Sequence, residues 1–163
     1  MALATPVIQE RKPIMTRPDP PPQLDTATAS ELLQRAREAR NHAYAPYSRF
    51  PVGAALLAAD GAVFAGCNIE NAAFGLTNCA ERVAIGNAVS QGARAFHAIA
   101  VVGPEDDVAC APCGSCRQVL HEFGPALLVV TPGGADGAPL VTSLRELLPG
   151  AFGPARLRGE VPE

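Results

Sequence analysis

No stretch of the sequence is long and apolar enough to span a bilayer. The longest apolar runs, residues 52–59 and 126–130, fall far short of the roughly 20 residues a spanning helix needs. A basic excess is also missing. The 13 lysines and arginines face 16 aspartates and glutamates, a net charge of −3, so nothing supplies the positive surface that tracks nucleic-acid phosphates. The start, Met1-Ala-Leu-Ala-Thr-Pro6, has neither the charged segment nor the apolar core of a secretory signal. Five cysteines, an odd number, fit thiols kept reduced so that they can bind metal or react. A cytoplasmic protein is expected, without a nucleic-acid or membrane partner. No repeat of 20–50 residues is present. What the 163 residues do contain is 48% apolar and 18% charged residues, enough for one folded domain and unlike a disordered chain or a coiled coil.

Residues 1–25 differ from the rest. Six of the 16 prolines (Pro6, Pro13, Pro18, Pro20, Pro21 and Pro22) lie there beside Arg11, Lys12 and Arg17. Proline removes backbone donors and fixes φ, so a disordered N-terminal arm is expected before a single domain over 26–163. That domain opens with Thr28-Ala-Ser-Glu31, a capping box ahead of an apolar stripe at Leu32, Ala36, Ala39 and Ala43, in a helix that stops before Pro46. Residues 52–59 and 62–68 flank Asp60-Gly61, the signal of a two-residue hairpin turn. Helices follow at about 79–91 and 113–123, ended by Gly92 and by Gly124-Pro125. Strands are expected at 96–102, 126–131 and 140–142, and a second capping box at Ser143-Leu-Arg-Glu146. Strand–helix–strand alternation after a hairpin predicts an α/β fold, a mixed β-sheet with helices on its faces.

The chemistry sits in the cysteines. Cys113-Gly-Ser-Cys116 follows Cys79 by more than thirty residues, and a Cys-x-x-Cys turn can aim two sulfurs at one metal. A structural zinc takes four protein ligands, whereas a catalytic zinc takes three and keeps a position for water. Cys79, Cys113 and Cys116 make three. Cys110 is a possible fourth, because Cys110-Ala-Pro-Cys113 has the same spacing, so spacing alone leaves the register open. Helix ends favour the first set. Pro112 suits a first helical turn, placing Cys113 and Cys116 where the dipole stabilises thiolate, and Asn78 is a good N-cap just before Cys79. Arg82 and Arg117 are near enough in sequence to offset some of the sulfur charge. Glu81 is either the acidic end of an Asn78–Glu81 capping box or, beside a three-sulfur metal with an open position, a proton carrier.

Cys79-Ala-Glu-Arg82 and Pro112-Cys-Gly-Ser-Cys-Arg-Gln118 together resemble the zinc-dependent cytidine deaminase family in its small homotetrameric form. The likeness extends to Ala43-Tyr-Ala-Pro-Tyr-Ser48, Phe50-Pro-Val-Gly-Ala-Ala-Leu56, Gly66-Cys-Asn-Ile-Glu-Asn71 and Leu147-Leu-Pro-Gly-Ala-Phe152, covering about residues 28–152. It implies a three-layer α/β/α fold, one Zn²⁺ per subunit held by Cys79, Cys113 and Cys116, and Glu81 as proton shuttle. It further implies that Asn68 and Glu70 bind the ribose 3′-hydroxyl, that Phe50 packs on the nucleoside, and that the Ala80 N–H meets the pyrimidine carbonyl. Arg82 then softens the charge on ligand sulfur. Phe152 is implied as an aromatic given to a neighbouring subunit's site, with Phe74 a weaker case of the same kind. The implied reaction is attack of hydroxide, held by the metal, on C4 of cytidine or 2′-deoxycytidine, with release of ammonia, a step of pyrimidine salvage. The proline-rich arm departs from the compact family pattern.

Two rivals stand beside this reading. One is a related deaminase of a modified cytosine nucleoside. The other is a non-catalytic interaction module stabilised by a closed zinc site of Cys79, Cys110, Cys113 and Cys116. Polynucleotide-editing deaminases usually carry His-x-Glu where this chain has Cys79-x-Glu81, and the net charge argues against a strand-binding groove. Cys67 reads as a strand cysteine and Cys110 as a bystander thiol. His42, His97 and His121 have no ligand spacing among themselves.

Overall fold

The computed structural model describes residues 23–159. Residues 1–22 of the expected arm, and residues 160–163, lie outside the described residues. Helix α1 (Thr26–Arg40) begins earlier than the sequence signal. Its N-cap is Asp25, whose carboxylate accepts from the Thr28 N–H at 2.9 Å and from the Thr28 hydroxyl at 2.7 Å. Thr28 therefore serves as a donor inside the first turn, and the Thr28–Glu31 box does not form. An ionised carboxylate is the stronger acceptor for free N–H groups at a helix start. The helix also ends sooner, at Arg40, so its buried stripe is Ala29, Leu32, Leu33 and Ala36 without Ala43.

Strands β1 (Gly53–Ala58) and β2 (Val63–Cys67) form the expected hairpin, but with three loop residues rather than two. Leu57 pairs with Val63, the Ala58 N–H bonds the Ala62 carbonyl at 2.8 Å, and Gly61 adopts φ 90°. A left-handed glycine closing a three-residue loop is the next commonest hairpin geometry, and Asp60-Gly61 fits it equally well. Then come α2 (Ala80–Ser90), β3 (Phe96–Val102), α3 (Gly114–Phe123), β4 (Leu128–Thr131), β5 (Leu140–Ser143), α4 (Leu144–Leu147) and α5 (Pro154–Leu157). The Ser143–Glu146 box that opens α4 is present as expected.

The five strands make one mixed sheet in the order β2-β1-β3-β4-β5, with β3 and β4 parallel and the other pairs antiparallel. Alternation of side chains sorts its two faces. Ala55, Ala98, Ala100, Val102, Leu128 and Val130 pack against α1. Ala54, Leu56, Ile99, Val101 and Val129 pack against α2 and α3 through Ala84, Ile85 and Leu120. This is the three-layer α/β/α arrangement. Each fully buried leucine or isoleucine, such as Leu32, Leu56, Ile99 and Leu120, contributes about 1.5–3 kcal/mol by leaving water. Helix α2 lies close on β2 because Gly66 has no side chain. A methyl there would come 2.5 Å from the Ala84 nitrogen and 2.6 Å from the Ala80 carbonyl. That close seat fixes the helix whose first turn carries Ala80 and Glu81. Among the described residues no helix is long and apolar enough to cross a membrane.

Candidate active site

The start of β1 and the ends of β2 and β3 meet at one end of the sheet, since Gly53 is paired with both Cys67 and Val102. The N-termini of α2 and α3 arrive at a cleft there, of about 220 Å³, whose walls include Phe50, Asn68, Cys79, Ala80, Glu81 and Cys113. Cys79 is the N-cap of α2 and Cys113 the N-cap of α3, and neither uses its side chain as a cap. Asn78 is not the cap; its side-chain amide donates to the Leu76 carbonyl instead. The Asn78–Glu81 capping box therefore does not form, and Glu81 is released from that duty.

Cys116 sits in the first turn of α3 and is fully buried. Its sulfur and those of Cys79 and Cys113 all lie within 4.8 Å of one another. Burial pushes the Cys79 and Cys116 thiols up, and the Glu81 charge adds to the rise at both. At Cys113 burial is outweighed by hydrogen bonds from Cys116 and Cys79, and the thiol lies below its ordinary value. Three sulfurs this close are all thiolate only with a cation among them, and a trio of thiolates is a donor set that zinc takes. Cys110 is not part of this trio, although it lines the same cleft. The closed four-cysteine site of the interaction-module reading is thereby overturned.

Glu81 is 4% exposed and faces the cleft, and burial lifts its carboxyl above the ordinary carboxylate range. Arg82 donates to the Thr77 carbonyl at 2.6 Å and lies 3.9 Å from Cys79 Sγ, so its charge falls on a ligand sulfur. Its Nε is buried without a hydrogen-bond partner among the described residues. Arg117 does not share the task expected of it. Its Nε donates to the Pro112 carbonyl at 2.7 Å and its Nη1 to the Leu147 carbonyl at 2.8 Å, tying the start of α3 to the end of α4.

On the opposite wall, Asn68 is 8% exposed and bridges the chain on both sides of Pro51. Its Oδ1 accepts from the Val52 N–H at 2.8 Å, and its Nδ2 donates to the Phe50 carbonyl at 2.9 Å. Glu70 accepts from the Tyr47 and Ser48 N–H groups, at 2.8 and 3.2 Å, and does not line the cleft. Hydrogen bonds from the Ser48 side chain and from these two amides hold its carboxyl below the usual range. Each group keeps further acceptor or donor capacity. Phe50 lies half-exposed on the cleft. Phe152 lies away from the cleft of its own chain, exposed, with its carbonyl accepting from Gln118 at 2.7 Å. Thr77, Val52 and Val101 also line or support the cleft. They act through backbone or aliphatic surface, which leaves no residue-type signal to read.

The family model described as the cytidine and deoxycytidylate deaminase zinc-binding region matches residues 26–131. This chain belongs to that family. A cytidine deaminase of Sporosarcina psychrophila is 50% identical over 122 residues, 75% of this chain and 89% of the relative. A cytidine deaminase of Halalkalibacterium halodurans is 53% identical over 121 residues, 74% of this chain and 91% of the relative. The crystal structure of cytidine deaminase from Burkholderia pseudomallei superposes with a TM-score of 0.68 at 53% identity, covering 76% of this chain and 98% of that one. The family membership agrees with the three-sulfur cluster, and zinc is the metal these residues fit.

Proposed function

We propose that this chain is a zinc-dependent hydrolase that deaminates cytidine and 2′-deoxycytidine to uridine and 2′-deoxyuridine with release of ammonia. The observation that carries the proposal is a buried carboxylate, Glu81, on the wall of the same cleft as three mutually close sulfurs. Zinc bound by Cys79, Cys113 and Cys116 supplies the acidity that makes water a nucleophile near neutral pH. Glu81 accepts one proton of the attacking water and delivers it to N3 of the pyrimidine, so that C4 becomes electrophilic; it then takes the proton of the new C4 hydroxyl and passes it to the amino group, which departs as ammonia. Its burial suits a group that must act as base and then as acid, because desolvation raises the carboxyl above its ordinary range and makes its proton easier to hold between the two steps. Arg82 lowers the negative charge on Cys79. The Ala80 N–H, at the start of α2, meets the pyrimidine carbonyl. Phe50 covers the nucleoside, and Asn68 and Glu70 offer their spare polar capacity to the ribose 3′-hydroxyl.

Exposed apolar side chains at Tyr44, Tyr47, Phe74, Leu76 and Phe152 support assembly as a homotetramer, in which Phe152 completes a neighbour's site. Residues 26–163 act as one deaminase domain, in pyrimidine salvage in the cytoplasm. An ultraviolet assay of cytidine and 2′-deoxycytidine, with zinc quantified per chain in the same sample, tests the proposal. Conversion of both with one zinc per chain is expected. One zinc bound and neither nucleoside converted would point instead to a modified cytosine nucleoside.

A further inference from the structure

Phe50 and Cys110 line the cleft beside the metal site and also a second hollow of about 80 Å³, bounded by Gly103, Pro104, Glu105 and Val108. The two residues are thus common to both spaces. Gly103, just past the end of β3, supports them with bare backbone. A methyl built on it would lie 3.1 Å from Cys110 Cβ, 3.2 Å from its Sγ and 3.5 Å from Phe50 Cζ. Any movement of Gly103 is therefore transmitted directly to both.

Arg40, the last residue of α1, holds this turn. Its Nη1 donates to the Gly103 carbonyl at 2.6 Å and to the Pro104 carbonyl at 3.2 Å, and its Nη2 lies 2.9 Å from Asp106 Oδ1. Arg37, one turn earlier, adds a 3.4 Å contact to the same carboxylate oxygen and donates to the Asp106 carbonyl at 3.2 Å. The Arg40 side chain is only 15% exposed whereas Asp106 is 63% exposed, so the sheltered part of the clamp is the bond to the Gly103 carbonyl rather than the ion pair. The guanidinium fork suits three acceptors at once. The same end of α1 also grips the chain that carries Phe50. Gly53 packs so tightly that a methyl there would fall on the Ala36 carbonyl and come 2.6 Å from the Arg40 nitrogen.

We propose that Arg40 is a positioning residue for nucleoside binding, setting the Phe50–Cys110 wall of the cleft through the Gly103 turn. It reaches neither the three metal-binding cysteines nor Glu81. The proposal rests on the deaminase reading above and acts on the binding side of the reaction. Arg40→Ala raises KM for cytidine about tenfold and leaves kcat within about threefold, with zinc still at one per chain, because uniform binding is lost while the reacting groups stay in place. Arg40→Lys, whose ammonium still reaches the Gly103 carbonyl, restores most of the KM.

A second readout needs no turnover. Alkylation of Cys110 by iodoacetamide, mapped by mass spectrometry, is at least about threefold faster in the zinc-loaded Arg40→Ala protein than in the wild type, as a loosened wall requires. Should Arg40→Ala fail to fold, Gly103→Ala displaces the same wall from the other side and raises KM in the same sense. A lowered unfolding temperature with KM unchanged overturns the proposal, as does a Cys110 labelling rate equal to that of the wild type. If the wild type converts no cytidine, the deaminase reading fails and the labelling rates alone decide the clamp.

Discussion

Cys79 and Cys113 occupy the N-cap positions of α2 and α3 without capping them, whereas Asn68, across the same cleft, and Glu70 beside it have polar atoms tied to backbone. At the helix end the folded chain leaves its reactive side chains unspent. It accepts the cost of three close sulfurs and a buried carboxylate, which only a cation relieves. At the loop end side chains are spent on shaping residues 47–52, and what lines the cleft there is a half-exposed phenylalanine and an Asn68 already bonded to backbone. The three sulfurs and Glu81 thus come from one chain, while under the proposed function a neighbour's Phe152 completes the enclosure of the substrate. A site divided in this way should fail differently according to which half is damaged.

The largest effect is expected at the helix end. Cys116→Ser removes the one fully buried sulfur of the trio, so zinc per chain falls well below one and turnover drops below detection, measured by atomic absorption and the ultraviolet assay. A variant that kept both would break the comparison outright. At the loop end Asn68→Ala leaves the Val52 N–H and Phe50 carbonyl without their partner, lowering the unfolding free energy by about 1–3 kcal/mol in urea and raising KM, with zinc retained. If KM rises while stability holds, Asn68 belongs to the substrate more than to the loop.

A smaller effect concerns the segment that carries Phe152. The His121 ring lies against Gly153, where a methyl would come 2.7 Å from Nε2. Burial lowers the His121 pKa, the charge of Arg145 acts in the same sense, and Glu122 opposes both. The native state then binds this proton less readily than the unfolded chain. The stability is fully present above the ordinary histidine value of about 6.5 and is lost as pH falls from there through the lowered native value. Thermal unfolding between pH 7.5 and 5 should show that decline, and His121→Gln should flatten it. Smallest of all, Cys110→Ser should leave zinc at one per chain, because Cys110 lies outside the sulfur trio.

Legibility in the sequence follows the same division. The strand at Phe96–Val102 and the cysteine pattern could be read from residue types, since apolar runs and Cys-x-x-Cys spacing are local signals. The cap of α1 could not, because Asp25 and the Thr28–Glu31 box both offer sound N-cap chemistry and only folding decides between them. Arg117 sits beside a ligand in sequence, yet its guanidinium reaches the Leu147 carbonyl thirty residues away. The Gly103 turn carries no signal at all, being a bare backbone wall whose importance lies in what touches it. Side chains that act by type are visible in a sequence, and backbone that acts by position is not.

Under the proposed function Glu81, buried against the sulfur trio, moves the proton. Glu81→Gln keeps the shape and removes the acid–base function. Zinc per chain and uridine formation measured on one preparation test it most directly. Retention of one zinc per chain with activity lowered by roughly 10²–10⁴-fold is the predicted result. Normal turnover in that variant, with zinc bound, would contradict it.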